Sequence, residues 1–305
     1  MIQSAVHVLL AAAFPPLLIG VINKTKAVMG GRTGAPVLQP YYELFRLFQK
    51  GSVFSRTTTW IFRFGPVVGL ATAYLAAMLI PLGEDTSAPL SFKGDLIVLA
   101  YVLGLARFFT VAAALDTGSP FEGMGAAREA TFSCLAEPVL FFGLLVLAKV
   151  TGTLTLAGML GGSLTQEWNN GGAAMLLVLV SWCVVLLAEN SRIPVDDPET
   201  HLELTMIHEV MILDHSGPAF GMILYGAAMK LFVFCAMVVR LAVPLETGYT
   251  VVNWVLFAGA MLVLAVLVGL VESVMARLRM VLVPQLLIAA GVLSAFGLVL
   301  QLSKP

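Results

Sequence analysis

Titratable side chains are concentrated in one polar segment of this sequence. Residues 189–218, ENSRIPVDDPETHLELTMIHEVMILDHSGP, contain seven acids, three of the chain's four histidines and one arginine, Arg192. Side chains of these types can bind a metal ion, dock a charged partner or exchange protons. Their spacing allows the three possibilities to be weighed separately.

The histidines are badly spaced for a metal site. His201, His208 and His215 recur every seven residues, so successive rings on one helix would lie roughly 10 Å apart. Zinc needs ligand atoms about 2 Å from the metal. The pair His208-Glu209 also fails as an HExxH motif, because Ile212 occupies the place of the second histidine. We therefore expect no metal in this segment.

The rest of the chain offers no redox centre and no catalytic motif. Cys134, Cys183 and Cys235 each lie within an apolar stretch and form no CxxC pair, so we expect neither zinc nor an iron–sulfur cluster in this chain. We find no nucleophile–base constellation, no dinucleotide glycine fingerprint and no P-loop. The sequence thus predicts no catalytic residue.

The acids of the polar segment leave docking and proton exchange open. Seven acids against Arg192 give a balance of about −6 with neutral histidines, which could attract a basic subunit or simply be solvated. Asp197, Pro198 and Glu199 are typical of a helix start. We predict a helix from there to about Leu213, ending near Gly217.

The composition is that of an all-α polytopic membrane protein. The 305 residues are 59% hydrophobic and 11% charged, with a mean hydropathy of +0.95, whereas soluble domains carry about 25% charged residues. A membrane-spanning helix needs roughly 20 apolar residues. Eight stretches meet this requirement in one integral-membrane domain, 1–305: about 2–22, 60–81, 96–115, 131–150, 172–189, 218–241, 251–273 and 282–302. The net charge of −1 and the lack of a basic tail indicate no nucleic-acid partner.

The basic residues predict the orientation of these spans in a cytoplasmic membrane. If both termini lie outside, eleven Lys and Arg residues fall in cytoplasmic loops and four in external ones. This asymmetry follows the positive-inside rule.

Several charged residues fall within or beside the spans, where a central charge costs at least about 2.5–3.5 kcal/mol. Arg107, Glu189 and Glu272 could snorkel to the interface. Glu137 and Lys230 lie deeper, and we expect them to be functional. A contact between these two is possible.

Two cytoplasmic loops have recognisable patterns. From Pro40, the polar positions Glu43, Arg46 and Lys50 recur at helical spacing among aromatic and aliphatic residues, which predicts a short amphipathic helix in the membrane interface or against a partner. Residues 116–130, DTGSPFEGMGAAREA, predict a turn, with Arg128 and Glu129 opening the next helix. From the residues alone, the chain is an ion-coupling subunit or an ion-coupled transporter.

Three stretches resemble the complex I subunit 1 family. GRTGAPVLQPYYELFRLFQK resembles its first cytoplasmic loop, ENSRIPVDDPETHLEL resembles its second signature, and the pair Arg128 and Glu137 resembles a third. Within the family, DTGSPFEGMGAARE and THLELTMIHE are similar to the version in energy-converting group 4 nickel–iron hydrogenases and formate hydrogenlyase-type complexes. His201 stands where the quinone-linked branch commonly has an acid.

The resemblance implies a subunit held between a peripheral redox arm and ion-pumping subunits of a prokaryotic cytoplasmic membrane. Nickel–iron hydrogenase-like large and small subunits and a ferredoxin-like subunit would hold the nickel–iron centre and the iron–sulfur clusters. Antiporter-like subunits would be its membrane partners, and lipid could bind. This chain would hold no cofactor and would be a non-catalytic part of the oxidoreductase.

The resemblance also implies roles for particular residues. Electron transfer in the arm would change the charge near the acidic loops, and intramembrane carboxylates would pass that change, or protons or sodium ions, towards the pumping subunits. The coupling residues would be Glu137, Glu189, Glu199, Glu203, Asp196 and Arg192, with Lys230 added on its burial alone. Contacts with the peripheral arm would involve Arg32, Gln39, Pro40, Glu43, Arg46, Asp116, Arg128, Glu129, His201, His208 and Glu209.

Two alternatives remain open at this point. One is the equivalent subunit of a quinone-reducing complex I-like oxidoreductase. The other is a standalone ion-coupled transporter, although the sequence shows no internal repeat of the kind that many transporters have.

Overall fold

The computed structural model describes residues 2–83, 88–161, 164–196, 207–244 and 247–303, and this part of the chain is helical without strands. A 3₁₀ helix, Glu209–Ile212, precedes α9. The α-helices are α1 Ile2–Ala13, α2 Pro15–Met29, α3 Gln39–Phe48, α4 Trp60–Leu79, α5 Asp95–Asp116, α6 Pro120–Thr151, α7 Leu156–Met159, α8 Leu164–Glu189, α9 Gly217–Ala242, α10 Thr250–Val274 and α11 Leu282–Leu302.

The helices confirm an all-α, multi-pass membrane protein. Within the described residues, seven helices are long and apolar enough to cross a bilayer, and the bent pair of α1 and α2 brings the number to eight if it forms one span. The seven are α4, α5, α6, the part of α8 from Gly171, α9, α10 and α11.

The bend between α1 and α2 follows from two prolines. Pro15 and Pro16 have no N–H to continue the α1 ladder, and the two helices meet at 44°. The carbonyl of Ala12, which loses Pro16 as a donor, accepts a hydrogen bond from the Tyr225 hydroxyl at 2.6 Å. The hydroxyl of Tyr41 donates to the carbonyl of Ala13. Side chains of α9 and α3 thus satisfy the broken turn and dock the first helix.

Helix α9 forms the centre of the bundle. In the 18-residue apolar stretch of α9, 61% of the residues are buried, whereas 22–44% are buried in the corresponding stretches of the other six spans. Helix α4 packs on both α5 and α9, α6 packs on α8 and α11, and α2 packs on α10. Lys230 lies on α9, so the fold brings its amine into the middle of the protein.

Helix α6 begins earlier than the sequence predicted. It starts at Pro120, which follows the extended residue Ser119, and not near Arg128. Pro120 fits the first helical turn because it has no N–H to satisfy there. The expected turn over 116–130 is therefore wrong beyond residue 119, and its glycines Gly123 and Gly125 are helical.

The polar segment after α8 also differs from the prediction. A helix running to Leu213 is wrong over the described residues 207–213, where only the 3₁₀ turn is present. Asp196 explains the difference, because its Oδ2 accepts hydrogen bonds from the backbone N–H groups of Ile207 at 3.2 Å and His208 at 3.4 Å. The predicted start at Asp197–Glu199 lies outside the described residues.

The amphipathic helix α3 is present, with its faces arranged in an unexpected way. Leu47 is buried, while Tyr42 and Phe45 point outwards with 61% and 67% of their surface exposed. Glu43 faces inwards and accepts a hydrogen bond from the Gln39 amide at 3.1 Å. The outward aromatic face suits the membrane interface.

Gly125 lets α6 approach the polar segment closely, and this yields a test. A Cβ at residue 125 would lie 2.3 Å from Val210 Cγ1 and 2.9 Å from the carbonyl oxygen of Ile207, whereas a Cβ at Gly123 would meet nothing within 4 Å. We predict that Gly125→Ala destabilises the protein by about 1–3 kcal/mol through overpacking. Gly123→Ala should stabilise it by up to about 1 kcal/mol, because alanine favours the helix.

Thermal unfolding of the two variants in detergent checks this prediction. The two sites lie half a turn apart on one helix, so each variant controls for the other. A melting temperature that shifts equally in both would contradict the close contact.

Candidate functional site

A network of charged side chains links four helices, and Arg107 of α5 lies at its centre. The Arg107 Nη2 donates to both carboxylate oxygens of Glu189 on α8, at 2.7 and 2.8 Å. Its Nη1 donates to Oε1 of Glu137 on α6. Lys230 Nζ of α9 lies 2.8 Å from Glu189 Oε2. Glu137 and Lys230 are thus joined through Arg107 and Glu189 rather than by direct contact.

Glu129 connects this network to the polar segment. Its Oε1 lies 3.6 Å from Arg107 Nε and accepts a hydrogen bond from the Ser133 hydroxyl at 3.3 Å. Its Oε2 lies 3.3 Å from Nδ1 of His208, just before the 3₁₀ helix. A change of charge at His208 would therefore act directly on Glu129.

The network is held by mutual pairing of its charges. Removing an ion from water costs several kcal/mol, and only a close, hydrogen-bonded partner of opposite charge offsets this cost. The side chains of Glu189 and Arg107 are only 6% and 12% exposed, and Glu189 contacts two cations. The network, Arg107, Glu129, Glu137, Glu189 and Lys230, has two cations and three carboxylates. When all are ionised and His208 is neutral, its net charge is −1.

Glu137 lies on the outward face of α6, where its side chain is 48% exposed. For Arg107 the sequence left open that its side chain snorkels to the membrane interface. In the structure it lies instead at the centre of the network. The sequence signal for Arg107 was its place within an apolar span, but its acidic partners are far away in the chain.

A second buried cluster ties α10 to the turn after α8. The Glu272 carboxylate of α10 is fully buried and lies 3.4 Å from Arg192 Nη1 and 3.3 Å from Lys26 Nζ of α2. For Glu272 the sequence also left open that the side chain snorkels to the interface, but in the structure it pairs with two cations inside the bundle. Lys26 and Glu272 were not among the predicted site residues.

The turn over 190–196 joins these two clusters. It begins directly after Glu189 and ends at Asp196, whose Oδ1 lies 2.8 Å from Arg277 Nη2. The carbonyl of Pro194 accepts a hydrogen bond from the backbone N–H of Leu278 at 2.9 Å. Asp196 and Arg192 therefore both organise this turn, one against the α10–α11 loop and the other against Glu272.

A cavity of about 790 Å³ borders the network. Most of its walls come from α2, α3, α4, α5 and α9 and are largely apolar. Its polar lining residues include Arg107, Glu129, Glu189, Lys230 and His208 of the network region, and Gln39 and Glu43 of α3. Such a lining suits a ligand with an apolar body and a polar group.

The other predicted interface residues have diverse surroundings. Arg32 and Arg46 are exposed, Arg128 is half-buried, and Glu209 lines the cavity. Asp116 accepts hydrogen bonds from the backbone N–H and hydroxyl of Thr59, at 2.6 and 2.8 Å, and so ties the end of α5 to the start of α4. Glu199, His201 and Glu203 lie outside the described residues.

In the described part of the chain, no group of three or more His, Cys, Asp or Glu side chains is arranged so that it could hold a metal ion. The imidazole of His215 stacks on Phe62 at 3.9 Å between ring centroids and lines the cavity.

Comparisons with known proteins agree on one relationship. A family model described as NADH dehydrogenase matches residues 2–302. Formate hydrogenlyase subunit 4 of Escherichia coli (strain K12) is 31% identical over 288 residues, which cover 92% of each chain. Hydrogenase-4 component C of the same organism is 32% identical over 274 residues, 88% of this chain and 85% of that protein.

Two further comparisons are more distant. An NADH-quinone oxidoreductase subunit of Neisseria meningitidis serogroup C (strain 053442) is 24% identical over 195 residues, 61% of this chain and 52% of that one. A chain in the structure of the membrane-bound sulfane sulfur reductase, an archaeal respiratory membrane complex, superposes with a TM-score of 0.83. That match covers 98% of both chains at 20% identity, and so it shows a shared fold.

The environment of His215 predicts a pH dependence of stability. Burial lowers the pKa of His215 from its ordinary 6.5 to about 4, so the folded protein keeps this ring neutral. At pH 7 both the folded and unfolded states hold it neutral. As the pH falls below 6.5 the unfolded state gains a proton that the folded state excludes, which should cost about 2 kcal/mol of stability at pH 5.

The variant His215→Phe keeps the stacking on Phe62 and removes the titration. We expect its melting temperature to fall less than that of the wild type between pH 7 and pH 5. Equal losses in the two proteins would show that His215 does not resist protonation.

Proposed function

Since the chain belongs to the NADH dehydrogenase family, we propose that it is the membrane-arm subunit of a complex I-like, energy-converting hydrogenase of the formate hydrogenlyase type. The two relatives at 31% and 32% identity, both matched over most of their length, support this branch. The role we assign is to anchor the redox arm and couple its electron transfer to the translocation of protons or sodium ions.

The observation that carries the proposal is the charged network itself. It begins at His208 in the polar segment and passes through Glu129 and Arg107. It ends at Glu189 and Lys230 inside the bundle and at Glu137 on the outward face of α6. Opposite charges about 3–4 Å apart in a partly buried site interact by several kcal/mol. A charge change at the polar segment therefore shifts the pairing, or the proton occupancy, of carboxylates in the membrane.

Each part of the polar segment has a place in this mechanism. Asp196 and Arg192 hold the turn that carries Glu189. Glu199 and Glu203 are assigned to the coupling residues by their position in the sequence. Lys230 competes with Arg107 for Glu189, so loss of either contact would free a cation or a carboxylate for the next step.

The proposal includes partners and a location. The nickel–iron centre and the iron–sulfur clusters would reside in hydrogenase-like large and small subunits and a ferredoxin-like subunit. Antiporter-like subunits would receive the charge change within a prokaryotic cytoplasmic membrane. We assign this chain no cofactor and no chemical step of its own.

A second candidate, the equivalent subunit of a quinone-reducing complex, is favoured by the cavity. Its volume of about 790 Å³, apolar walls and charged lining residues fit a lipophilic ring compound whose oxygens need hydrogen-bond donors. The similarity to a subunit of NADH-quinone oxidoreductase at 24% identity also points this way.

Purification of the intact assembly through a tag on this chain tests the proposal. We expect a nickel–iron subunit to copurify and the assembly to evolve hydrogen from a low-potential electron donor. Quinone reduction without hydrogenase activity in a complete assembly would favour the second candidate. Ion flux through the chain alone in liposomes would instead favour a standalone transporter.

The variant Glu137→Gln tests coupling within the complex. Glutamine keeps the size and hydrogen bonding of the side chain but cannot exchange a proton or balance Arg107. We expect an assembly of unchanged composition whose rate of ion translocation falls at least about tenfold, which corresponds to about 1.4 kcal/mol in the height of the barrier. Wild-type translocation would show that Glu137 is a tolerated acid.

Glu167→Gln is the matched control for this measurement. Glu167 lies in the first turn of α8, on the side of the bundle opposite the network's end of that helix. It should leave both assembly and translocation unchanged.

A further inference from the structure

A short helix is buried in the bundle at the end opposite the polar segment. Helix α6 begins beside that segment, where Gly125 packs against the 3₁₀ helix, and ends at Thr151. Helix α7 follows it, and its first and last residues, Leu156 and Met159, are fully buried, as is the next residue, Leu160. Connections between helices usually run over the protein surface. The one between α6 and α8 instead folds back into the protein.

Two buried side chains of opposite charge hold the ends of α7. Asp95, in the first turn of α5, accepts a hydrogen bond from the backbone N–H of Leu156 at 2.7 Å. Arg240, in the last turn of α9, donates from Nε to the carbonyl of Leu160 at 2.9 Å. Asp95 is 0% exposed and Arg240 is 1% exposed. The two residues thus tie α7 to α5 and to the central helix α9.

This burial requires polar groups to be satisfied inside the protein. Within a membrane, backbone outside a regular spanning helix is tolerated only where protein encloses it or where it lines a water-filled cavity. An arginine or aspartate that leaves water costs free energy unless a close partner compensates it. Removal of either side chain would leave a buried backbone N–H or C=O group of α7 without its partner, and such a group recruits water.

Apolar side chains of α9 separate α7 from the charged network. Every α9 residue from Leu231 to Val239 is apolar and at most 4% exposed. Lys230 of the network precedes this stretch and Arg240 follows it, so the two cations lie roughly 15 Å apart along the helix axis. That distance is about half the thickness of the hydrocarbon core of a bilayer.

The lining of the cavity agrees with this separation. Its α9 residues run from Phe220 to Leu231, and neither the later residues of α9 nor those of α7 contribute to it. Within the described part of the chain, the cavity therefore gives water a route to the network but not on to α7.

We infer that α7 is a plug, which Asp95 and Arg240 hold in place and which closes this end of the bundle to water. The plug keeps the apolar stretch of α9 dry, so the network exchanges protons or ions with the polar-segment side and not with the opposite membrane surface. This role goes beyond the proposed coupling function, because any protein that holds charges inside an energised membrane must prevent a leak past them.

Side-specific labelling of cysteines in sealed membrane vesicles that hold the intact assembly tests the plug. In a parent chain whose three native cysteines are replaced by alanine, Ala236→Cys places a thiol about one turn before Arg240 on the same face of α9. A charged, membrane-impermeant thiosulfonate is added at the membrane surface that carries α7. We expect this thiol to react at least about tenfold more slowly than that of Leu154→Cys, since Leu154 is 48% exposed in the loop before α7.

Two substitutions at Asp95 separate the plug from a general effect of charge. Asp95→Ala removes the acceptor for the N–H of Leu156, and we expect labelling of Ala236→Cys to accelerate at least about tenfold. Asp95→Asn keeps an oxygen at the same place and should retain the slow rate. Lys149→Ala, which removes an exposed charge at the same end of the bundle, should also retain it. Equal labelling rates in the Asp95→Ala and Asp95→Asn chains would overturn the inference.

The parent chain alone keeps the inference testable if Asp95→Ala prevents assembly. Labelling of Ala236→Cys as fast as that of Leu154→Cys would then overturn it without any change at Asp95. These readouts do not depend on catalysis. An assembly without hydrogenase activity whose Ala236→Cys thiol is protected would contradict the proposed function and leave the plug standing, and fast labelling in an active assembly would do the reverse.

Discussion

The structure depends most on the ion pair between Arg107 and Glu189. A guanidinium inside a bundle of apolar helices must be neutralised by nearby carboxylates, since the protein interior solvates it far less well than water does. Arg107 meets this constraint by drawing Glu189 from α8 and Glu129 and Glu137 from α6. The same carboxylate of Glu189 then holds Lys230 of the central helix α9. One pairing requirement thus fixes the relative positions of four helices.

The all-α class and the membrane spans can be predicted from the composition of the sequence, but the ion pairs between the helices cannot. Apolar runs of about 20 residues predict spanning helices with no knowledge of their neighbours. Arg107 and Glu272 look alike in the sequence, each a charge inside or beside an apolar run. The hydrogen-bond partners of Arg107, Glu137 and Glu189, lie 30 and 82 residues away in the sequence. Arg192, a partner of Glu272, lies 80 residues from it. Only the packing of helices decides which distant charges meet.

Local structure was mispredicted where a tertiary contact overrides local preference. Glycines at 123 and 125 favour a turn in isolation, yet both lie in a helix, and the segment at 207–211 packs against Gly125 without room for a side chain. Asp196 resembles an ordinary loop acid, yet it accepts bonds from the backbone at 207 and 208 and also pairs with Arg277. A helix N-terminal signal at Asp197–Glu199 says nothing about these later contacts. The partner that satisfies the break after α1 was equally hidden, since Tyr225 lies 213 positions from Ala12.

The distribution of burial within the network has a physical logic. Glu189, which is 6% exposed, faces two cations, while Glu129 at 11% has Arg107, Ser133 and His208 around it. Glu137 at 48% has one cation, which it shares with the other two. The cost of an ionised carboxylate rises as water is removed, so the acid with the least compensation is the one that the fold leaves nearest the surface. Two cations cannot fully balance three ionised carboxylates, and the carboxylate with the fewest cationic partners, Glu137, lies at the edge of the bundle.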